Sequence, residues 1–284
     1  MSQTETPPVT PRMALASLQE RLFIGVKRQG VQLSSFSLRS PTGRLRREMA
    51  NVETNPYRQV VVALRNVLGV LGGVDSPRDD LLGKLSMPDV DYINFTLTAR
   101  KHPTGIPVKG TCGIKTPQGW VEGCGAKLTA RVDPQAVAIM EATDTVIFED
   151  SPNGRPYQEL VFHDPVLERE IRVKIRVPLL EDQVALVEKV REGVNSGMGD
   201  AMHLQFSTYM IDWDGRGRGL SMDEMDALPL ETLDALFSAA KGRHTEQLDG
   251  EVEIRCPMCG RQHLLALPTE EWLTPFVPPT PSGS

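Results

Sequence analysis

Cysteine is sparse: four occur in 284 residues, too few for a secreted scaffold held together by disulfides. Positive charge is also short, with 31 Lys and Arg against 37 Asp and Glu, a net charge of -6 and a pI near 5.5. That balance argues against a general nucleic-acid binder, because counterion release on phosphate needs a concentrated basic surface. No apolar run approaches the roughly 20 residues that span a bilayer. Met1–Arg12 lacks the basic start and apolar stretch of a secretion signal, so the expectation is a protein made and used as a soluble component. There is no phosphate-binding glycine loop, nucleophile elbow or helix-borne histidine and glutamate motif. His102, His163, His203 and His244 are scattered, which disfavours enzymatic activity.

What is present is a pattern written twice. Leu85 and Leu228, Met87 and Leu230, and Asp91 and Asp234 are each 143 residues apart, while Val108 to Val252 and Cys112 to Cys256 are 144. Upstream, Leu38-Arg39-Ser40-Pro41 matches Ile175-Arg176-Val177-Pro178 at an offset of 137. Cys124 to Cys259 is only 135, because eleven residues separate the first cysteine pair and two the second. At 40% hydrophobic the chain can bury a sizeable core, as two domains or one duplicated domain. The expectation is an α+β fold in which a helix-plus-hairpin module is duplicated: a disordered arm at 1–12, repeats at 13–133 and 134–268, and a Pro-rich tail at 269–284. Such units are expected to pack about an approximate twofold.

Local signals fill in the module. Leu22–Leu38 alternates as two strands around Arg28-Gln29-Gly30. Ser40-Pro41 and Asn55-Pro56 read as helix caps, and Val60, Val61, Leu64, Val67, Leu68 and Leu71 continue at helical spacing to a stop at Gly72-Gly73. Ser86 with Asp89 opens a further helix, and strands at Ile106–Thr111 and Ala126–Val132 flank the first cysteine pair. A short apolar helix follows Asp133. Val146–Phe148 and Leu160–Phe162 then make a hairpin around Ser151-Pro152-Asn153-Gly154, the second repeat's counterpart of Leu22–Leu38. A strand at Glu168–Val177, helices at Glu181–Glu192 and Leu230–Phe237, and a hairpin at Glu251–Leu267 complete the series. Arg39, Arg44, Arg46 and Arg47 form a basic cluster that reads as a solvated helix face.

The chemistry lies in the cysteines. Cys256-Pro257-Met258-Cys259-Gly260 has the spacing that aims two thiolates at one ion, with glycine allowing the tight turn. Tetrahedral zinc takes four ligands, and Cys112 with Cys124, also followed by glycine, supplies the other pair. The prediction is one zinc-ribbon-like site of Cys112, Cys124, Cys256 and Cys259 holding a structural Zn2+. Three readings compete: a dithiol redox pair at Cys256 and Cys259, metal-free degenerate knuckles, and a site completed by His263. At the strand position matching Leu128, however, His263 is expected to pack or face solvent. Asp212-Trp213-Asp214-Gly215-Arg216-Gly217, with Asp223 at the twelfth position, has the outline of a calcium loop, but Arg216 stands where an oxygen ligand belongs.

The order of strand, Pro-started helix, apolar helix and cysteine hairpin resembles the baseplate hub and tail assembly proteins of contractile-tailed bacteriophages. Leu38-Arg39-Ser40-Pro41-Thr42-Gly43-Arg44, Leu82–Tyr92, Cys124-Gly125-Ala126-Lys127-Leu128 and Cys256–Gly260 carry the likeness, which covers residues 30–133 and, more loosely, 167–268. The resemblance implies a non-enzymatic structural or assembly component of the virion tail baseplate, passing through the host cytoplasm during assembly. Its partners would be other phage baseplate and tail proteins, with no membrane and no nucleic acid. The eleven-residue spacing between Cys112 and Cys124 departs from the family's short knuckle, and members often hold one unit where this chain holds two. Other classes predict different features. A zinc-ribbon nucleic-acid adaptor would use Lys109, Lys115, Lys127, Arg255 and Arg261 around the hairpins, and a thiol oxidoreductase would need a reactive Cys256 or Cys259.

Overall fold

A computed structural model describes residues 20–40, 42–50, 55–116, 119–196, 206–241, 245 and 247–267. The expected arm and tail, and Pro41, lie outside them. The fold mixes 33% helix with 35% strand, an α+β composition. By contact the chain divides into two discontinuous units: Arg21–Val90 joins Ala142–Glu246, while Asp91–Glu141 joins the segment from Gln247 onward.

The larger unit opens with β1 (Arg21–Arg28) and β2 (Val31–Leu38), an antiparallel pair turned by Gln29 and Gly30 at φ 50 and 81. After α1 (Gly43–Ala50), α2 (Pro56–Val67) starts where the cap predicts: the Asn55 side chain accepts from the amides of Tyr57 and Arg58, and Pro56 needs no partner for an N–H. The apolar spacing predicts a helix as far as Leu71. The helix ends instead at Val67, and Leu68–Leu71 becomes β3, paired with Phe36, Ser37 and Leu38 of β2. A short apolar run satisfies both periodicities, and the open edge of β2 decides between them. Gly72 and Gly73, at φ 55 and 82, are therefore the turn into β4 (Val74–Asp75) and not a helix stop.

One-turn α3 (Asp79–Leu82) leads to α4 (Met87–Lys101). Ser86 Oγ accepts from the Asp89 amide at 3.2 Å and donates to the Asp89 carboxylate at 2.8 Å. That carboxylate does not reach back to the amide of Ser86, as a capping box would. It accepts from the amides of Ile24 and Gly25, at 3.1 and 2.9 Å, pinning a bulge in β1 to the start of the helix.

Strands β5 (Ile106–Thr111), β6 (Ile114–Thr116), β7 (Gly119–Val121), β8 (Lys127–Val132) and β9 (Ile139–Met140) belong to the smaller unit. The helix expected after Asp133 is a single 3-10 turn at Pro134–Ala136, because the residues beyond it pair with a distant strand.

Back in the larger unit, β10 (Ile147–Phe148), β11 (Pro156–Asp164), β12 (Arg169–Arg176) and, after α5 (Leu180–Ser196), β13 (Met210–Trp213) make a second four-stranded sheet. The main partner of β11 is β12, from Tyr157 opposite Arg176 to Asp164 opposite Arg169, and β10 meets only its first residues. Its inner face, Leu160, Phe162, Ile171, Val173 and Trp213, is covered by Met225 of α6 (Met222–Asp226) and by Leu233 and Leu236 of α7 (Leu230–Lys241). The two sheets share one irregularity. Leu38 faces Leu68 and Ser37 faces Val70, while Ile175 faces Met210 and Lys174 faces Asp212, one residue being skipped in each case.

The chain returns to the smaller unit with β14 (Gln247–Leu248), which pairs with β9, and the closing hairpin of β15 (Glu251–Arg255) and β16 (Gln262–Ala266).

Candidate metal centre

Two hairpins of the smaller unit build the site. In the second, where two residues separate the cysteines, Cys256 follows β15, its amide donates to Arg261 O at 2.7 Å, and Gly260, at φ 75, donates to Cys256 O at 2.9 Å. The first hairpin repeats this bonding: Cys112 follows β5, its amide donates to Ala126 O at 2.8 Å, and Gly125, also at φ 75, donates to Cys112 O at 2.9 Å. Left-handed backbone at these two positions favours glycine, which explains the Cys-Gly pair in each half. The eleven-residue gap is resolved by a separate finger, β6 and β7, with Ile114 opposite Val121. Gly123 closes its base. A Cβ there would sit 2.3 Å from the carbonyl oxygen of Cys112.

All four predicted ligands converge. The sulfurs of Cys112, Cys124, Cys256 and Cys259 lie within 4.8 Å of one another, with Cys112 Sγ 3.5 Å from Cys259 Sγ and Cys124 Sγ 3.7 Å from Cys256 Sγ. Each close pair joins the leading cysteine of one knuckle to the trailing cysteine of the other. Cys112 and Cys256 are buried, and Cys124 and Cys259 are exposed. Leu128 is buried with the two inner cysteines, and Ala126 and Leu265 pack beside them.

The thiols are pulled in opposite directions. The amides of Cys259 and Met258 point at Cys256 and hold its thiol down at about 6. The Cys124 amide acts on Cys112 in the same sense, yet burial and the three neighbouring thiols outweigh it, and Cys112 is pushed up to about 12. Four clustered sulfurs cannot all ionise without a cation to share their charge, so the donor set suits a metal ion better than free thiolates.

His263 is the residue that sequence reasoning placed wrongly. It neither packs apolarly nor faces away, because its Nε2 lies 3.1 Å from Cys112 Sγ. A hydrogen bond onto a cysteine sulfur is the kind of support that metal sites recruit, and the sequence signal was a histidine four residues after Cys259, just inside the strand that follows the turn. Lys109, Lys127, Arg255 and Arg261 are all exposed near the hairpins, and Arg255 donates to Gly260 O at 3.0 Å. In the calcium-like loop, Asp212 accepts from the Gly217 amide and Asp214 pairs with Arg169, so both carboxylates bond within the protein. In the basic cluster, Arg44 pairs with Glu48, and Arg39 donates to the backbone of Asn66.

No protein-family model, curated protein or solved structure matches the chain.

Proposed function

We propose that this chain is a non-catalytic scaffold, made of a tandemly duplicated module, clamped by one structural Zn2+ on Cys112, Cys124, Cys256 and Cys259, and working as a structural or assembly component of a contractile phage tail baseplate hub. The observation that carries the metal reading is the four-sulfur cluster. Zinc–sulfur bonds of about 2.3 Å in a tetrahedron separate sulfurs by roughly 3.8 Å, and the two close pairs stand at 3.5 and 3.7 Å. Four protein thiolates leave no open position for substrate, which makes the ion structural.

The duplication is supported by agreement between offsets and register. The offset of 137 that aligns Leu38 with Ile175 also aligns the skipped-residue ladders of β2 and β12, and the offset of 143 carries the α3 cap at Arg78 onto the α6 cap at Ser221. The same offset carries Asp89, which ties α4 to β1, onto Thr232, whose hydroxyl ties α7 to Asp164 of β11 at 3.0 Å. On this alignment the counterpart of β1 and β2 is the hairpin of β11 and β12, and the Val146–Phe162 hairpin expected in that role gives way to it.

The baseplate role rests on the sequence resemblance alone. In it, metal and core hold two similar surfaces in fixed relation for neighbouring tail proteins to engage. Elemental analysis tests the first part: one zinc per chain is expected, and a Cys112→Ser, Cys124→Ser variant that retained its zinc in full would refute a shared site. Mass spectrometry of purified tails, with a deletion in the producing phage, tests the second. Complete, infectious tails assembled without the chain would exclude the role, and salt-sensitive retention on DNA would favour the nucleic-acid adaptor.

A further inference from the structure

The four-sulfur site has a second, covalent state within reach. Its cysteines are free thiols, with Cys112 Sγ 3.5 Å from Cys259 Sγ and Cys124 Sγ 3.7 Å from Cys256 Sγ. Each pair crosses from one hairpin to the other, and each joins a buried sulfur to an exposed one. The exposed member meets whatever oxidant the solvent carries, while the buried member is shielded and stands ready beside it. The hairpins are already in place for this chemistry. β16 packs against β5 and β15 against β8, and Gly110 lies so near Leu265 that an added Cβ would fall 2.6 Å from its side chain. A disulfide bond is about 2.05 Å long, so closing either pair brings its sulfurs together by roughly 1.5 Å.

We propose that Cys124 and Cys259 are oxidation sites for a peroxide, and that the cluster exchanges its ion for two disulfides, Cys112–Cys259 and Cys124–Cys256. This inference rests on the shared zinc site proposed above. The exposed thiolate of each pair attacks the peroxide; the O–O bond breaks, hydroxide leaves and the sulfur becomes a sulfenic acid. The buried thiolate then attacks that sulfur and expels the second hydroxide, forming the S–S bond. Two thiolates thus give two electrons to one peroxide. Two peroxides consume all four thiolates, release four hydroxides and set Zn2+ free, because no anionic sulfur remains to hold it. Both bonds run between hairpins, so the β5–β8 and β15–β16 ribbons stay joined. Disulfides within each knuckle would instead leave the ribbons to the contacts of Leu128, Ala126 and Leu265. The clamp therefore persists as an ion in reducing surroundings and as covalent bonds in oxidising ones.

The test treats the zinc-loaded full chain with hydrogen peroxide, measures zinc before and after, and maps the cysteines by trypsin and tandem mass spectrometry without reductant. Trypsin cuts after Lys109, Lys115, Lys127, Arg255 and Arg261, so the crossed disulfides tie residues 110–115, 116–127 and 256–261 into one three-peptide adduct. That adduct is expected, with fragments linking Cys112 to Cys259 and Cys124 to Cys256. Free thiols should fall from four to none and zinc from one per chain to none, and dithiothreitol with added zinc should restore both. Bonds within each knuckle give a two-peptide adduct and a looped 256–261 peptide, and they overturn the exchange. So do the opposite crossed pairing, sulfinic acids in place of disulfides, or thiols and zinc that survive peroxide doses sufficient to oxidise free cysteine. A chain that holds no zinc before peroxide is added overturns the metal reading itself, whichever disulfides then form.

Discussion

On the zinc reading proposed above, stripping the metal should melt the cysteine hairpins while sparing the two four-stranded sheets. Two-stranded ribbons are marginal on their own, and the core between these two consists of Cys112, Leu128 and Cys256 with Ala126 and Leu265 beside them. Full burial of a leucine contributes about 1.5–3 kcal/mol, whereas a structural zinc in a small domain contributes about 10–16 kcal/mol. The ion therefore outweighs the apolar contacts several-fold, and they cannot replace it. The sheets have their own cores, such as Leu160, Phe162, Ile171 and Trp213 under Leu233 and Leu236. The assay is hydrogen–deuterium exchange before and after chelation, with metal release followed by a colorimetric zinc indicator. Amides of Val108–Thr111, Lys127–Val132 and Glu251–Arg255 should lose protection, and those of β11 and β12 should keep it. Hairpins that remain protected after zinc is gone would refute the reasoning, as would loss of both units together.

Gly123→Ala should distort the first knuckle, since its Cβ would fall 2.3 Å from a backbone oxygen; zinc content should drop and stability fall by about 1–3 kcal/mol or more. Gly250→Ala, with nothing within 4 Å of the added carbon, is the near-neutral control in the same unit. Asp89→Ala removes the acceptor of two buried amides and a hydroxyl and should cost roughly 3–5 kcal/mol in chemical denaturation. Burial lifts the Asp91 carboxyl from 3.8 to about 6, so folding favours its protonated form. The stability this group contributes is present below about pH 4 and lost as pH rises through 6. In denaturant titrations across that window, Asp91→Asn should flatten the slope, and an unchanged slope would remove Asp91 as its source.

The parts of the fold legible in the sequence were those fixed by neighbours along the chain. Asn55-Pro56, Ser86 with Asp89, and the Gln29-Gly30 turn each carry their own geometry, and each marked its boundary correctly. Leu68–Leu71 was not legible, because a continuous apolar stretch is a strand only if an edge such as β2 waits beside it. Ile139–Met140 failed for the same reason, its partner lying more than a hundred residues away at β14. The cysteine cluster was readable from spacing and the glycines after Cys124 and Cys259. The role of His263 was not, since it depends on which face of one hairpin meets the sulfur of the other.

In each half, a backbone ring of two hydrogen bonds and one left-handed glycine sets the pose of the paired sulfurs, whatever stretch of chain runs between them. That mount tolerates a two-residue spacer on one side and a protruding loop on the other. Sequence in the finger between the tightly packed Gly113 and Gly123 is accordingly free to drift or be exchanged, like an interchangeable head on a fixed socket, while the placement of the four sulfurs stays the same.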